Sequence, residues 1–368
     1  MAHGLRLGII GAGTITQAVH LEAARRAGFV VTAICDLSPS RAHEVALQTG
    51  ARATTDPAEV FHAGDIDAVL IATPAAHGPL AVAALEAGKH VLIEKPVALS
   101  EGGIEDVRRA AAAAGTVAQV GYMKLYDPIL PAAREALAAL TDVRLVRVTV
   151  QHPADAPQVA HLRMRPALPD ADPERIRLDD AAESAEVAAV LPDVAAGVRR
   201  YYRNVLNGSV IHELSLLRGL GLALPTRWDA EVFPALEGDA PGSLLATGAV
   251  GGTRYVLSWN WLPDLPAYAE EVVVLAGNGT LTFDVAPPYQ LEAPSRLTVL
   301  RAAGDGAASV TTVVGPPETG FLRQLEAFAA AIASGGEPVA DLAGALADVR
   351  QTRLLAEAVA DSLAGARP

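Results

Sequence analysis

The sequence predicts an α/β protein in which a doubly wound parallel sheet is followed by a second α/β domain with an open, mostly antiparallel sheet. Two observations lead to this prediction. Over the first 120 residues, short apolar runs alternate with alanine-rich helical segments, which is typical of parallel strands joined by crossover helices. In later segments apolar and polar residues alternate one by one, which is typical of antiparallel strands that bury one face. The chain of 368 residues is long enough for two such domains.

The first third of the chain supplies five predicted strands with helices between them. The apolar runs predict strands at residues 5–10, 30–35, 68–72, 90–93 and 116–120. The segments between them predict helices at residues 15–27, 39–48, 79–87 and 102–114. Because a helix separates each strand from the next in this pattern, the strands run parallel and their carboxyl ends meet at one edge of the sheet.

The remainder of the chain has a different pattern. Alternation predicts strands at residues 142–151, 227–233, 253–261, 270–275, 279–285, 296–301 and 309–314. The Gly277-Asn278-Gly279 turn predicts a hairpin between two of these strands. Helices are predicted at residues 320–334 and 342–364, and the Asp-, Pro-, Ala- and Arg-rich residues 152–200 predict a helical excursion or a mobile lid. We place the boundary between a domain of residues 1–124 and one of residues 125–368.

Composition and charge exclude several classes of protein. The net charge of −13 argues against a duplex nucleic-acid binder, which needs a basic surface for the phosphates. The single cysteine, Cys35, excludes an internal disulfide framework and a multi-cysteine zinc site, and we expect no metal. No run reaches the ~18 apolar residues that span a bilayer, and the first residues lack the features of a secretion signal. We therefore expect a cytoplasmic protein that binds neither membranes nor nucleic acid.

A glycine-rich loop follows the first predicted strand and opens the first helix. Gly11 supplies a tight turn, and Gly13 lets the backbone approach a pyrophosphate. Thr14 and Ile15 begin the helix, whose N-terminal N–H groups attract anions. Thr16 stands where a third glycine is usual, and we expect it to loosen the contact between helix and strand slightly. This loop predicts a dinucleotide-binding site.

Asp36 ends the second predicted strand, near the offset from the glycine loop that is typical of an acid on the adenosine ribose. A carboxylate there accepts hydrogen bonds from the ribose 2′-hydroxyl and repels a 2′-phosphate, so NAD is favoured over NADP. Arg41 either softens that preference or is a solvated surface residue, and the second alternative is favoured. Residues 1–124 are therefore predicted to form an NAD-binding domain.

Further motifs follow the third, fourth and fifth strands, and one more lies in the second domain. They are Thr73-Pro74 with His77, Glu94-Lys95-Pro96, Gly121-Tyr122-Met123-Lys124 and Ile211-His212-Glu213-Leu214. Together with the glycine loop, they resemble the glucose–fructose oxidoreductase, inositol dehydrogenase and rhizopine catabolism (Gfo/Idh/MocA) family. The resemblance covers the chain apart from residues 152–200, and Glu94-Lys95-Pro96 is its most specific motif.

The resemblance implies a Rossmann domain and an NAD-dependent oxidoreductase that acts on a secondary alcohol of a sugar, polyol or inositol-like substrate. Lys95, at the end of a predicted strand, would polarise the substrate oxygen, and His212 would take the hydroxyl proton. The Lys95–Pro96 peptide is implied to be cis. Lys124 is expected to contact substrate hydroxyls beside these two residues. The cofactor is implied to lie against Thr73, Pro74, His77, Glu94 and Lys95, although His77 is equally well explained as an ordinary residue at a helix start.

The sequence departs from the family pattern around the predicted base. Sugar and inositol dehydrogenases of the family usually carry aspartates four residues before and three residues after the histidine, where this chain has Gly208 and Ser215. Glu213 or a residue of the 152–200 segment is a candidate substitute. The departure keeps two alternatives open: a redox-neutral epimerase or lyase with tightly bound NAD, and a non-enzymatic NAD-binding regulator.

Aromatic and basic residues outside the motifs support further expectations. Trp259 and Trp261 share one strand face, which favours a core or a subunit interface, and we predict a homodimer or homotetramer. Tyr201 and Tyr202 are alternative substrate contacts. The chain has three lysines, and Lys89, unlike Lys95 and Lys124, falls in a helix–strand turn where we expect it to be solvated.

Overall fold

The computed structural model describes residues 4–74, 77–165, 170–234, 236, 241–303 and 305–365. The chain forms two compact units. The first consists of Met1–Met123, Leu162–Val190 and Phe321–Val349, and the second of Lys124–His161, Leu191–Gly320 and Arg350–Pro368. No helix among the described residues is both long and apolar enough to cross a bilayer. The assignment of cofactor binding to residues 1–124 and of substrate binding to residues 125–368 stays a prediction.

The strands, in chain order, are β1 Arg6–Ile10, β2 Val30–Cys35, β3 Arg52–Thr54, β4 Ala68–Ile71, β5 His90–Ile93, β6 Ala118–Val120, β7 Val143–His152, β8 Trp228–Phe233, β9 Ser243–Val250, β10 Thr253–Trp261, β11 Ala269–Ala276, β12 Gly279–Val285, β13 Arg296–Ala302 and β14 Ala308–Val314. The α-helices are α1 Leu21–Ala27, α2 Pro39–Thr49, α3 Pro57–Phe61, α4 His77–Glu86, α5 Glu101–Ala114, α6 Leu130–Ala138, α7 Asp155–Val159, α8 Pro173–Val190, α9 Ala196–Tyr201, α10 Ile211–Gly219, α11 Gly320–Ser334 and α12 Leu342–Gly365. Two π-helical segments, Thr16–His20 and Tyr202–Val210, lead directly into α1 and α10, and a short 3₁₀ helix covers Met123–Tyr126.

The first unit contains a six-stranded parallel sheet in the order β3-β2-β1-β4-β5-β6. This is the strand order of a Rossmann fold, so the predicted fold class is confirmed. The central strands are almost wholly buried, because helices cover both faces of a parallel sheet. The order reverses between β1 and β4, and ligands of such sheets bind outside the carboxyl ends of the strands at this switch point.

The 152–200 segment contains α7, α8 and the first part of α9. Its central portion, Leu162–Val190, is counted with the first unit. Within that unit, the Ser100 hydroxyl at the start of α5 donates to the Glu186 carboxylate on α8 at 2.5 Å. The helical character expected for this segment is therefore present, whereas a lid role stays a prediction.

The second unit contains an eight-stranded sheet in the order β14-β13-β12-β11-β7-β10-β9-β8. Every neighbouring pair is antiparallel except β7 and β10, which run parallel. The predicted hairpin joins β11 to β12 through Gly277 and Asn278. Alternate residues of β7 and β10 are buried, as the sequence pattern predicted. The mostly antiparallel second sheet is thus confirmed.

The tryptophan face of β10 lies inside the second unit. Trp259 is 2% exposed and its indole N–H donates to the Ser209 hydroxyl at 2.9 Å. Trp261 is half-buried and stacks on Trp259, with ring centroids 6.3 Å apart. The core alternative is therefore correct for Trp259. The predicted homo-oligomer itself remains a prediction.

Lys89 is not the solvated residue that the sequence suggested. Its ammonium donates to the Ala63 and Ile66 carbonyl oxygens at 2.6 and 2.7 Å, between α3 and β4. The residue is only 9% exposed, and burial lowers the pKa of the ammonium. Lys89 therefore stabilises the turn before β4 through two hydrogen bonds to its backbone.

Candidate functional site

The glycine loop after β1 packs closely against the end of β4. Gly11 has φ of +96°, and a Cβ there would lie 2.5 Å from the Ala72 carbonyl oxygen at the end of β4. Only glycine fits between these two strand ends. A Cβ on Gly13, in contrast, would meet no described atom within 4 Å. The loop is therefore open on the side of Gly13, and the free N–H groups of Thr14 and Ile15 at the helix start fit the pyrophosphate of a dinucleotide.

Thr16 does not simply loosen the helix–strand contact, as we expected from the missing third glycine. The side chain is fully buried and its hydroxyl donates to the Gly11 carbonyl oxygen at 2.6 Å. The π-helical turn also begins at this residue, and single π turns inside helices often mark functional sites. Thr16 therefore ties the start of the helix back to the glycine loop.

The Asp36 carboxylate connects the glycine loop with the start of α2. Its Oδ2 accepts from the Ala12 N–H at 2.8 Å, and its Oδ1 accepts from the Ser38 N–H at 2.9 Å. Arg41 lies 3.7 Å from Oδ2, and its side chain is 18% exposed. The expectation of a solvated Arg41 is therefore wrong, because this arginine belongs to the Asp36 site. These contacts hold the carboxylate at the end of β2, where an adenosine ribose would be recognised.

Glu94 ends β5 with a buried carboxylate. Its Oε1 accepts from the His20 Nε2 at 2.8 Å, and its Oε2 accepts from the Lys95 N–H at 3.2 Å. Burial works against the charged form, but the hydrogen bond from His20 and the charges of His20 and Lys95 bring the pKa of Glu94 below its usual value. The carboxylate thus joins the end of β5 to the turn that opens α1.

Gly121 and Phe321 lie beside the His20–Glu94 pair. A Cβ on Gly121 would lie 3.0 Å from the Cα, Cδ and Oε2 of Glu94. Glycine at this position, directly after β6, therefore leaves space for the Glu94 carboxylate. The Phe321 ring packs edge-on against the His20 ring, with centroids 5.6 Å apart. His20 escaped the sequence reasoning, although its position four residues after Thr16 put it on the same helix face.

His77 links the ends of β4 and β5. Its Nδ1 hydrogen-bonds the Pro96 carbonyl oxygen at 2.7 Å, and its Nε2 hydrogen-bonds the Thr73 carbonyl oxygen at 2.6 Å. The Lys95–Pro96 peptide is cis, as the resemblance implied. Lys95 is half-buried, and Pro74 is exposed beside Thr73. His77 is therefore more than an ordinary helix-start residue, while the cofactor and catalytic roles of these side chains stay predictions.

His212 is the second residue of α10 in the second unit and is half-buried. The π-helical segment Tyr202–Val210, which contains Gly208, precedes it. The Ser215 hydroxyl donates to the His212 carbonyl oxygen at 2.8 Å, so it serves the helix backbone. Tyr201 and Tyr202 are 3% and 0% exposed, and the Tyr201 hydroxyl donates to the Gly242 carbonyl oxygen at 3.0 Å. Both tyrosines are core residues, which is against the substrate-contact alternative.

Lys124 lies in a buried ion cluster of the second unit. Its ammonium donates to Glu213 Oε1 at 2.7 Å and to Glu270 Oε2 at 2.6 Å, and the Tyr268 hydroxyl donates to the same Glu270 oxygen at 2.7 Å. Burial and the charge of Glu270 raise the pKa of Glu213 to about 7, against the opposing effect of Lys124. One ammonium does not neutralise two buried carboxylates, so Glu213 keeps its proton to a higher pH than an exposed glutamate does. The substrate contact predicted for Lys124 remains a prediction.

The raised pKa of Glu213 predicts a pH-dependent stability. As pH rises from about 4.5 to about 7, the unfolded chain releases this proton before the folded chain does, so the free energy of unfolding falls. Glu213→Gln removes this titration, and we expect the variant to lose roughly 1–3 kcal/mol less than the wild type over that window. Urea unfolding at several pH values measures the difference. Glu326→Gln, at an exposed ion pair, is the control, and parallel wild-type and Glu213→Gln curves would contradict the assignment.

The His20–Glu94 pair predicts strong coupling between two residues 74 positions apart. We expect His20→Phe to cost about 1.5–3 kcal/mol of unfolding free energy at neutral pH, because it leaves a buried carboxylate without its hydrogen-bond donor. In the double variant with Glu94→Gln, the cost should be less than the sum of the two single variants by at least about 1 kcal/mol. Chemical unfolding of all four proteins tests this, with exposed Glu105→Gln as control. Additive costs would count against the pair.

Comparison with known proteins supports this description of the first unit. Residues 5–122 match the model of an oxidoreductase family with an NAD-binding Rossmann fold. Inositol 2-dehydrogenase 4 of Saccharopolyspora erythraea is 38% identical over 128 residues, which cover 34% of this chain and 38% of that protein. The matched segment therefore spans less than two fifths of this curated relative.

Solved structures resemble the chain over nearly its whole length. The UDP-N-acetylglucosamine 3-dehydrogenase GnnA from Acidithiobacillus ferrooxidans has a TM-score of 0.71 at 20% identity, covering 98% of this chain and 99% of that one. KijD10, a 3-ketoreductase from Actinomadura kijaniata solved with NADP and TDP-benzene, has a TM-score of 0.69 at 20% identity, covering 97% of both chains. At this identity the likeness shows the fold of both units. Over residues 5–122 this chain matches the Gfo/Idh/MocA oxidoreductase family, which has an NAD-binding Rossmann fold.

Proposed function

We propose that this protein is an NAD-dependent oxidoreductase that transfers a hydride between nicotinamide and a secondary alcohol of a sugar, polyol or inositol-like substrate. The observation that carries the proposal is the strand-end arrangement of the first unit, in which an open glycine loop and the Asp36 carboxylate flank the end of β1. Lys95 follows the end of β5, two strands away from β1 in the same parallel sheet. The inositol 2-dehydrogenase name of the relative matched by residues in this region supports the substrate class.

The cofactor would be held by backbone and carboxylate groups. The N–H groups that follow Gly13, at Thr14 and Ile15, would bind the pyrophosphate, and Asp36 would accept hydrogen bonds from the adenosine ribose. Thr73, Pro74, His77 and Glu94 would surround the nicotinamide, which accepts or donates the hydride when bound. The His77 contacts to the Thr73 and Pro96 carbonyl oxygens connect the residues that follow β4 with those that follow β5.

Two side chains would carry the proton chemistry. In the oxidation direction, His212 accepts the hydroxyl proton while the carbinol C–H bond breaks and the hydride leaves, which forms the carbonyl group. Lys95 donates a hydrogen bond to the same oxygen and stabilises its developing negative charge. Glu94 accepts a hydrogen bond from the Lys95 N–H and so fixes the backbone from which this side chain extends. Lys124, with Lys95 and His212, completes the substrate contacts that we propose.

We also propose that the protein works as a homodimer or homotetramer in the cytoplasm. Strand β14 at one edge of the second sheet is largely exposed and carries apolar side chains, with Val310 65% and Val314 55% exposed. Edge strands of this kind pair readily with another chain. Light scattering tests the oligomer, and a mass near 38.0 kDa at micromolar concentration would contradict it.

Lys95 supplies the sharpest test of the proposed chemistry. We expect Lys95→Ala to lower kcat by about 10²–10⁴-fold, because the substrate oxygen loses its hydrogen-bond donor. Lys95→Arg should be similarly impaired, since a guanidinium keeps the charge but is larger, planar and unable to give up its proton. NADH absorbance over a panel of polyols and sugars measures turnover.

Cofactor binding separates a catalytic defect from a folding defect in these variants. The Kd for NAD should stay within about threefold of the wild type in both, as for the exposed control Arg109→Ala. Retained turnover in Lys95→Ala would overturn the catalytic assignment. Turnover without added cofactor by protein that is purified with stoichiometric NAD would instead favour redox-neutral chemistry.

A further inference from the structure

A carboxylate from the 152–200 segment lies on the loop that follows β2. The Asp170 Oδ1 accepts a short hydrogen bond from the Ser38 hydroxyl, and its Oδ2 accepts one from the Ser40 hydroxyl. The Ser40 N–H also donates to Oδ2, at 3.0 Å. All three residues belong to the first unit. Asp170 is separated from Ser38 by 132 positions in the chain, so the fold brings a distant acid to this loop.

The donors that hold Asp170 form a set suited to a phosphate monoester. They are the hydroxyl groups of Ser38 and Ser40 and the backbone N–H of Ser40, at the start of α2, an eleven-residue helix that begins at Pro39 and has Ser38 as its N-cap. Helix N-termini attract anions through such N–H groups and through the helix dipole. Arg41, the next residue, has its guanidinium 3.7 Å from Asp36, and arginine is the side chain that accommodates the 2′-phosphate of NADP in this fold.

This donor set lies directly beside the predicted ribose site. The Ser38 N–H donates to Asp36 Oδ1, while the hydroxyl of the same serine donates to Asp170. Arg41 is 3.7 Å from Asp36. Asp36, which would hold the adenosine ribose, and Asp170 therefore share Ser38 as a hydrogen-bond donor.

The charge of this site is fixed. Hydrogen bonds from Ser38 and Ser40 lower the pKa of Asp170 to about 2, so the carboxylate is ionised at neutral pH. The Arg41 guanidinium lies 3.7 Å from the Asp36 carboxylate, whereas Asp170 is held by the two serines. A 2′-phosphate would bring up to two further negative charges to this place and would find its donors already engaged.

We propose that Asp170 is a cofactor-specificity residue, which occupies the position of the NADP 2′-phosphate on Ser38 and Ser40 and thereby selects NAD. The inference rests on the proposed dinucleotide function. It assigns a role to part of the 152–200 segment: the segment supplies an internal anion in place of the one on the cofactor. Specificity then arises from repulsion of the wrong ligand as well as from the ribose contacts of Asp36.

Equilibrium binding of NAD and NADP to the full chain tests the proposal. Asp170→Asn keeps the size of the side chain and removes its charge, and Asp170→Ser removes the carboxylate altogether. Because the Asp170 carboxylate repels an anionic 2′-phosphate, we expect both variants to lower the Kd for NADP by about tenfold or more. The Kd for NAD should change by less than about threefold. Asp179→Asn, an acid of the same segment paired with Arg175 on the surface, should change neither constant.

The possible outcomes separate this inference from the function on which it rests. The inference is supported if the wild type binds NAD more tightly than NADP and the ratio of the two Kd values becomes smaller in both Asp170 variants. The ratio should stay unchanged in Asp179→Asn. A wild type that binds NADP as tightly as NAD overturns the inference, as does an unchanged ratio of the two Kd values in Asp170→Asn and Asp170→Ser. If the wild type binds neither dinucleotide, the proposed function fails and the inference fails with it.

Discussion

The buried carboxylate of Glu94 is the constraint on which the first unit depends. A charged group at the end of a central strand is costly unless it is paired and hydrogen-bonded. Here the partners are the His20 ring and the Lys95 N–H, and Gly121 leaves the necessary space. Three segments that look independent in the sequence therefore meet at one group. A change in any of them alters the position from which Lys95 extends.

The same principle operates in the second unit with a different balance of charge. Lys124 has two carboxylate partners, Glu213 and Glu270, so the cluster holds one more acid than base. Glu213 immediately follows His212, which ties the helix that carries the proposed base to the sheet strand that carries Glu270. The carboxylate of Glu213 is engaged with Lys124, and this gives it a structural task apart from orienting the histidine ring.

The sequence predicted the long strands well because burial imposes a regular pattern on them. Strands β2, β5, β10 and β12 have the predicted bounds, and the other predicted strands differ by one or two residues at their ends. Strand β3 was missed because it has three residues and an exposed surface. Strand β9, an edge-proximal strand of small residues, was missed because its glycine and alanines weaken the alternation.

Local motifs also located the glycine loop, Asp36, Lys95 and His77, because each lies at a strand end that the pattern fixes. Pairings between distant residues were beyond this reasoning. His20 and Glu94 are 74 positions apart, and Asp170 and Ser38 are 132 apart. Nothing in either local sequence names the partner, since such contacts depend on how helices and loops cover the sheet.

The scarcity of lysine becomes understandable from the geometry of the buried sites. The Lys89 ammonium donates to two carbonyl oxygens, and the Lys124 ammonium donates to two carboxylates. In each site both acceptor oxygens lie within 2.7 Å of the lysine nitrogen. An ammonium is compact and directs three donors from one atom, whereas a guanidinium is planar and spreads its donors over a fork. In these two closed sites an arginine would have to displace the backbone or the acids. The exposed ion pairs of the described residues, in contrast, use arginine, because a surface pair has room for the fork. Lysine therefore occupies the sites that require a compact cation. The substrate contact proposed for Lys95 has the same requirement, because it places one donor on one substrate oxygen.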